Sequence, residues 1–277
     1  MRTLLALLLV VSPGPSLDPD QPSASGRAVL ETGHVDIGPR VRAGEWTIQI
    51  HDDHAAPSVW REPADTVLRV LDTAELVVPD DENYAFLGAA AGSTVHVVPQ
   101  TERPGVVWIG WNTQDPGVLA TAGRGITMTL RGVQGPGPVT VFLQSGNLGA
   151  PQVLWSSARP VPQPLWVERN THTHANWVFG APGVYLLAVG VTAELPDGST
   201  AATDTVLRFA VGDATDPAAA FGAAYSVPSP SASVSPPLSG TGYAFPLGAI
   251  GVVAAVLTIG GVLLQQRRTR RRAEESR

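Results

Sequence analysis

Between Glu31 and Gly212 the apolar positions recur with a period near two, not 3.6. Short alternating or β-branched runs are each bounded by Gly, Pro, Asp or Asn. The pattern predicts strands over 46–51, 66–71, 94–98, 106–108, 126–130, 139–143, 177–179, 184–193 and 203–211, and it leaves few places for helix. Turn residues separate these runs, as in Gly135-Pro136-Gly137-Pro138, Ala181-Pro182-Gly183 and Pro196-Asp197-Gly198. The clearest unit is the last, where runs 183–189 and 204–211 flank an Asp-Gly turn in the manner of the closing hairpin of an immunoglobulin-like sandwich. The expected fold class is all-β: an immunoglobulin-like β-sandwich plus one C-terminal transmembrane helix. About 180 residues exceed one ordinary sandwich, so the body is either one elaborated sandwich or two packed lobes.

The ends of the chain read differently from this body. Arg2, an apolar run from Leu4 to Val11 and then Ser12, Pro13 and Gly14 have the sections of a secretory signal peptide, so 1–26 is expected to be signal and leader. Residues 245–264 carry no charge and are long enough to cross a hydrocarbon core of about 30 Å; Arg267, Arg268, Arg270, Arg271 and Arg272 follow directly. Positive flanks stay in the cytoplasm, which places 265–277 inside and the domain 27–212 outside, in a single-pass protein of the cell membrane with its N-terminus outside. Residues 213–244, rich in Ala, Pro and Ser, read as a stalk. Within them Leu238-Ser239-Gly240-Thr241-Gly242 resembles a sortase sorting signal, with Ser239 where Pro or Ala is expected. Retention in the membrane and transfer to the cell wall after Thr241 both stay open.

Composition narrows the chemistry. The 277 residues are 44% hydrophobic and 15% charged, a foldable chain with a lightly charged surface. There is no cysteine, which excludes disulfides, thiolate metal sites and cysteine nucleophiles. The net charge of -6 already includes the arginine tail, so the body is more acidic still and would repel phosphate backbones; nucleic acid is not an expected partner. No G-x-S-x-G, H-E-x-x-H, P-loop or G-x-G-x-x-G motif is present, and the protein is expected not to be an enzyme.

What remains is histidine. His172-x-His174-x-Asn176 puts three polar side chains on one face of an extended segment, and two imidazoles at i and i+2 on a strand can reach one metal ion. His34-x-Asp36 repeats the device. Together His34, Asp36, His172 and His174 offer three nitrogens and one carboxylate, a set suited to zinc or manganese and poor for calcium, with Asn176 as an additional polar ligand. This requires the first strand to pair with a late one. Free imidazoles near a reference pKa of about 6.5 predict that binding weakens below about pH 6. Asp52, Asp53 and His54 are a further candidate cluster, though such a run reads first as a turn. Of the seven tryptophans most are expected to fill the core, while any exposed ones could stack on sugar rings.

The run from His172 through Asn176-Trp177 to Pro182-Gly183-Val184-Tyr185, with His34-Val35-Asp36 upstream and Pro99-Gln100-Thr101 and Trp108-Ile109-Gly110-Trp111-Asn112-Thr113 between, resembles the actinobacterial surface-anchored domain of "choice-of-anchor M" proteins. The resemblance covers roughly 34–213. It implies a surface protein without catalytic activity, working near a metal-uptake ABC transporter, with alternative C-terminal anchors in the family. The leading expectation is a surface-anchored binding protein for a divalent metal or a metal-uptake transporter. The alternative is a structural or adhesive protein recognising cell-wall glycan or another surface protein. Protease added to intact protoplasts is expected to digest the body, and deletion of 245–277 is expected to release it into the medium; a body that stays protected refutes this topology.

Overall fold

A computed structural model of the chain describes residues 17–145 and 150–226. The chain divides into two units, Met1–Val227 and Pro228–Arg277, and every described residue belongs to the first. Residues 1–16 of the expected signal and leader, the motif Leu238 to Gly242, the apolar run 245–264 and the arginine tail lie outside the described residues. Among those described, no helix is long and apolar enough to cross a membrane.

The fold is mostly β, in three sheets. Strands are numbered in chain order. The first sheet has the spatial order β1 (Ala28–Leu30), β5 (Thr66–Val70), β16 (Thr200–Val211), β15 (Gly183–Glu194), β9 (Gly125–Gln134), β12 (Gln163–Glu168). Its centre is the hairpin read from the sequence, paired without a break from Gly183↔Val211 to Glu194↔Thr200. The turn is made locally. Gly198 takes φ +82°, a conformation that a side chain would strain, and the Asp197 carboxylate accepts from the Ser199 N–H at 2.9 Å.

The second sheet runs β11 (Gln152–Ser156), β10 (Val139–Leu143), β14 (Asn176–Phe179), β7 (Thr94–Val98), β6 (Glu75–Val77). It packs on the first through aromatic rings: Phe209 of β16 lies 6.0 Å from Trp177 and 5.0 Å from Phe179, both on β14. The third sheet runs β13 (His172–His174), β8 (Val107–Asn112), β2 (Gly33–Arg42), β3 (Glu45–Asp52), β4 (Val59–Arg61). Ile37, Ile50 and Ile109 carry the same apolar core into this sheet. β13 and β14 are separated by Ala175 alone, fully buried where the chain leaves the third sheet for the second.

Every strand expected from the alternation is present, but β1, β2, β4, β6, β11, β12 and β13 are additional. β2 escapes a pattern search because it is buried on both faces while carrying Asp36, Arg40, two glycines and a proline, so it shows no alternation. Two short helices are capped by aspartate side chains: α1 (Pro116–Thr121) by Asp115 and α2 (Pro217–Gly222) by Asp216.

α2 corrects the expected start of the stalk. Residues 213–226 pack on the body, with Ala220 fully buried against Val67 and Ala210. Arg208 donates to the Ala220 and Ala223 carbonyls at 3.0 and 2.7 Å. Part of the expected leader is also held, since the Trp60 N–H donates to the Pro22 carbonyl and the Ala24 N–H to the Trp60 carbonyl. Apolar composition alone does not reveal whether a short segment has a surface to bury against.

Truncating Phe209, fully buried between Trp177 and Phe179, is expected to cost about 3–5 kcal/mol in Phe209→Ala. Trp166→Ala, at a ring 52% exposed, is expected to change stability by no more than about 0.5 kcal/mol. Denaturant unfolding of the two variants measures the difference.

Candidate metal centre

The site is built on the outer edge of the third sheet. β8 lies between β2, its parallel neighbour, and β13, its antiparallel one. The ladders align Asp36 with Gly110 and Gly110 with His174, His34 with Trp108, and His172 with Asn112. Alternation puts Trp108, Gly110 and Asn112 on the site face of β8, and Val107, Ile109 and Trp111 on the other. The expected direct pairing of the first strand with a late one is therefore corrected: one strand intervenes. Strands two places apart are separated by roughly 10 Å, and the side chains of β2 and β13 meet only by arching over β8. Gly110 makes that possible. A Cβ there would collide with Asp36 Oδ1 and lie 2.8 Å from both His174 Cε1 and the Thr173 carbonyl.

Over that glycine the Nε2 atoms of His34, His172 and His174 lie 3.1 Å from one another in all three pairs. Asp36 closes the group, with Oδ1 3.5 Å from His34 Nε2 and 3.9 Å from His174 Nε2, and Oδ2 3.0 Å from His172 Nε2. Protons alone cannot satisfy this arrangement. A ring nitrogen is either a donor or a lone pair, so among three mutually adjacent nitrogens at least one pair must face like with like. Asp36 Oδ1 is in addition buried without a hydrogen-bond partner. A cation answers both needs, and tetrahedral zinc, with Zn–N near 2.0–2.1 Å, sets its ligand nitrogens about 3.3 Å apart. These four residues could hold a metal ion.

The surroundings orient the ligands. His34 Nδ1 lies 2.8 Å from Asp53 Oδ2, so it carries the proton and leaves Nε2 free for the site. Asp53 in turn lies 3.4 Å from the buried His51. The Asn112 amide donates to Asp36 Oδ2 at 2.9 Å. Trp108 stacks on His174 with ring centroids 3.7 Å apart and planes 12° from parallel. Its indole N–H donates to the Gln100 carbonyl.

Asn176, expected beside the histidines, is not among the converging residues. Beyond the crossover at Ala175 it belongs to the second sheet, where its side-chain oxygen accepts from the Gln100 N–H at 2.9 Å. It thus braces the backbone that holds Trp108. The turn expected at Asp52 is present, with Asp52 Oδ1 accepting from the His54 and Ala55 N–H groups and Oδ2 from Arg61. Asp53 instead supports the site. Sequence reasoning missed Gly110, Asn112 and Trp108. Their i, i+2 spacing on a predicted strand was the available signal, but nothing local says which partners that strand has.

Burial acts most strongly on both Asp36 and His34, and in each it is outweighed. For Asp36, the adjacent His172 and His34 imidazoles hold the carboxyl below the ordinary carboxylate range. For His34, the carboxylates of Asp36 and Asp53 beside it raise the pKa to about 9. His174 is pushed down to about 4, chiefly by burial, with the neighbouring imidazoles adding to it. A second group, Asp72, Glu75 and His96, also meets in space. There His96 Nε2 lies 2.9 Å from Asp72 Oδ1, an ordinary satisfied pair.

Comparison with protein-family models, with curated proteins and with solved structures finds no match to this chain.

The raised pKa of His34 changes the expected pH dependence. In the metal-free protein it stabilises the fold below pH 6.5, and that contribution is lost as pH rises through about 9. A divalent ion binding at pH 7 must displace this proton, so calorimetry in buffers of different ionisation enthalpy is expected to show release of about one proton per ion. Affinity is expected to rise about tenfold per pH unit from 7 to 9 and then level, in place of a loss confined to pH below 6. A flat profile between 7 and 9 contradicts this assignment.

Proposed function

We propose that the protein is a cell-surface-anchored, non-enzymatic binding protein that either holds zinc or manganese at His34, Asp36, His172 and His174 or docks to a metal-uptake ABC transporter, and the geometry favours the first. The observation that carries the reading is the set of three Nε2 atoms at 3.1 Å from one another, closed by a carboxylate oxygen without a partner. Catalytic zinc sites keep a coordination position open, whereas four protein ligands fill a tetrahedron, which favours holding an ion over activating a water. His172 is 37% exposed at the edge of its sheet, so an ion has a short path in and out. Export and anchoring rest on the leader, the apolar run 245–264 and the arginine tail, with sorting at Leu238 to Gly242 as the wall-linked alternative. Membership in the choice-of-anchor M family rests on the residues from His34 to Tyr185 that carry the resemblance. We read the layered sheets as an elaborated immunoglobulin-like sandwich; the Tyr185 hydroxyl, which donates to the Ala181 carbonyl at 2.7 Å, is the kind of corner such sandwiches use.

One observation favours a second reading, an adhesive protein recognising wall glycan. Trp60, Trp111, Trp155 and Trp177 are buried, but Trp166 stands exposed on the edge strand β12. Its ring could stack on a sugar.

Calorimetric titration of the purified chain separates the two. Zinc or manganese is expected to bind the native protein and to stabilise it by about 2.7 kcal/mol at a hundredfold excess over Kd. The His172→Ala, His174→Ala double variant is expected to lose the heat. Equal heats from both forms rule out these histidines as ligands and leave the adhesive reading in first place.

A further inference from the structure

Resting on the reading of these four residues as metal ligands, we infer that Asn112 and Gly110 confine Asp36 to a single coordinating oxygen, making a four-coordinate site that selects zinc over manganese.

The two oxygens of Asp36 are not equivalent. Oδ2 accepts from the Asn112 amide at 2.9 Å, and that amide is oriented by its own oxygen, which accepts from the Gln114 N–H at 3.4 Å. Oδ1 is buried and has no hydrogen-bond partner. It occupies the space above Gly110 that any side chain at that position would take. The carboxylate, only 2% exposed, has Oδ2 set between the Asn112 amide and His172 Nε2, 3.0 Å away, and the Asn112 bond limits how far Oδ2 can turn toward an ion held by Oδ1.

The ligand count follows. Three imidazole nitrogens and one carboxylate oxygen make four, with the nitrogens 3.1 Å apart, near the roughly 3.3 Å of tetrahedral zinc. Manganese favours six ligands rich in oxygen and would need a bidentate Asp36 or added waters. On one side Trp108 lies flat on His174 and covers that imidazole in place of water. Asn112 is on this view a positioning residue: it touches a ligand, not the metal.

Cobalt(II) in place of zinc reports the geometry, because tetrahedral cobalt absorbs visible light far more intensely than octahedral cobalt. The unaltered full chain is expected to give the intense tetrahedral bands. In Asn112→Ala, zinc affinity is expected to fall about 10–100-fold while manganese affinity falls less, so that the zinc-to-manganese ratio narrows. Gly110→Ala is expected to abolish binding of either ion. Weak octahedral bands from the unaltered chain overturn the inference, and that spectrum decides even if Asn112→Ala fails to fold. A folded Asn112→Ala variant that loses affinity for both ions equally overturns the part assigned to Asn112. A native chain that takes up no zinc, cobalt or manganese overturns the metal reading itself and this inference with it.

Discussion

The site depends on a crowding that would be repulsive by itself: three imidazole nitrogens and a buried carboxylate converging over one glycine. Lone pairs held 3.1 Å apart repel, and a carboxylate stripped of water needs positive charge or hydrogen bonds close by. The fold supplies part of the compensation, through Asn112 on one carboxylate oxygen and Asp53 behind His34. In the metal-free protein a proton on His34 supplies more, and a bound cation would take that proton's place. Several elements of the third sheet serve this arrangement. Gly110 keeps the middle strand bare, Trp108 covers one imidazole, and the crossover at Ala175 sends the chain away as soon as His174 is in place.

That arrangement ties weak structure to strong. β13 is a three-residue edge strand, too short to be stable on its own ladder. β2 and β8 are inner strands of the same sheet, with Val35, Ile37 and Ile109 in the continuous core. Whatever binds the four residues therefore clamps an edge to the core, and couples its own occupancy to the order of that edge. The chain from Asn176 through the Gln100 backbone to the Trp108 indole links the second sheet to the same point.

Much of the architecture was legible from the chain because its cause is local. The β15–β16 hairpin follows from alternation and an Asp-Gly turn, and both lie within about thirty residues. The alternation missed β2 for the opposite reason. A strand buried on both faces with Asp36 and Arg40 inside has no alternation to detect, and its polar residues are tolerable only because distant partners meet them: Asp36 finds Asn112, while Arg40 donates to Gln49. Residues 213–226 were likewise misjudged, since a small Ala-rich segment folds only if a surface is offered to it.

The histidine pairs show where the division falls. Spacing of two residues on an extended chain was enough to say that His34 and Asp36 share a face, and that His172 and His174 do, because strand geometry is a property of neighbouring dihedrals. It was also enough to name nitrogen and carboxylate as the donors. The same spacing wrongly carried the face on to Asn176, because a sheet crossover is not encoded in a period. Which strand stands between the pairs, that its middle residue must be glycine, and that Asn112, Asp53 and Trp108 complete the surroundings were decided by the tertiary structure alone. They depend on register between segments up to about 140 residues apart, set by the packing of the whole core.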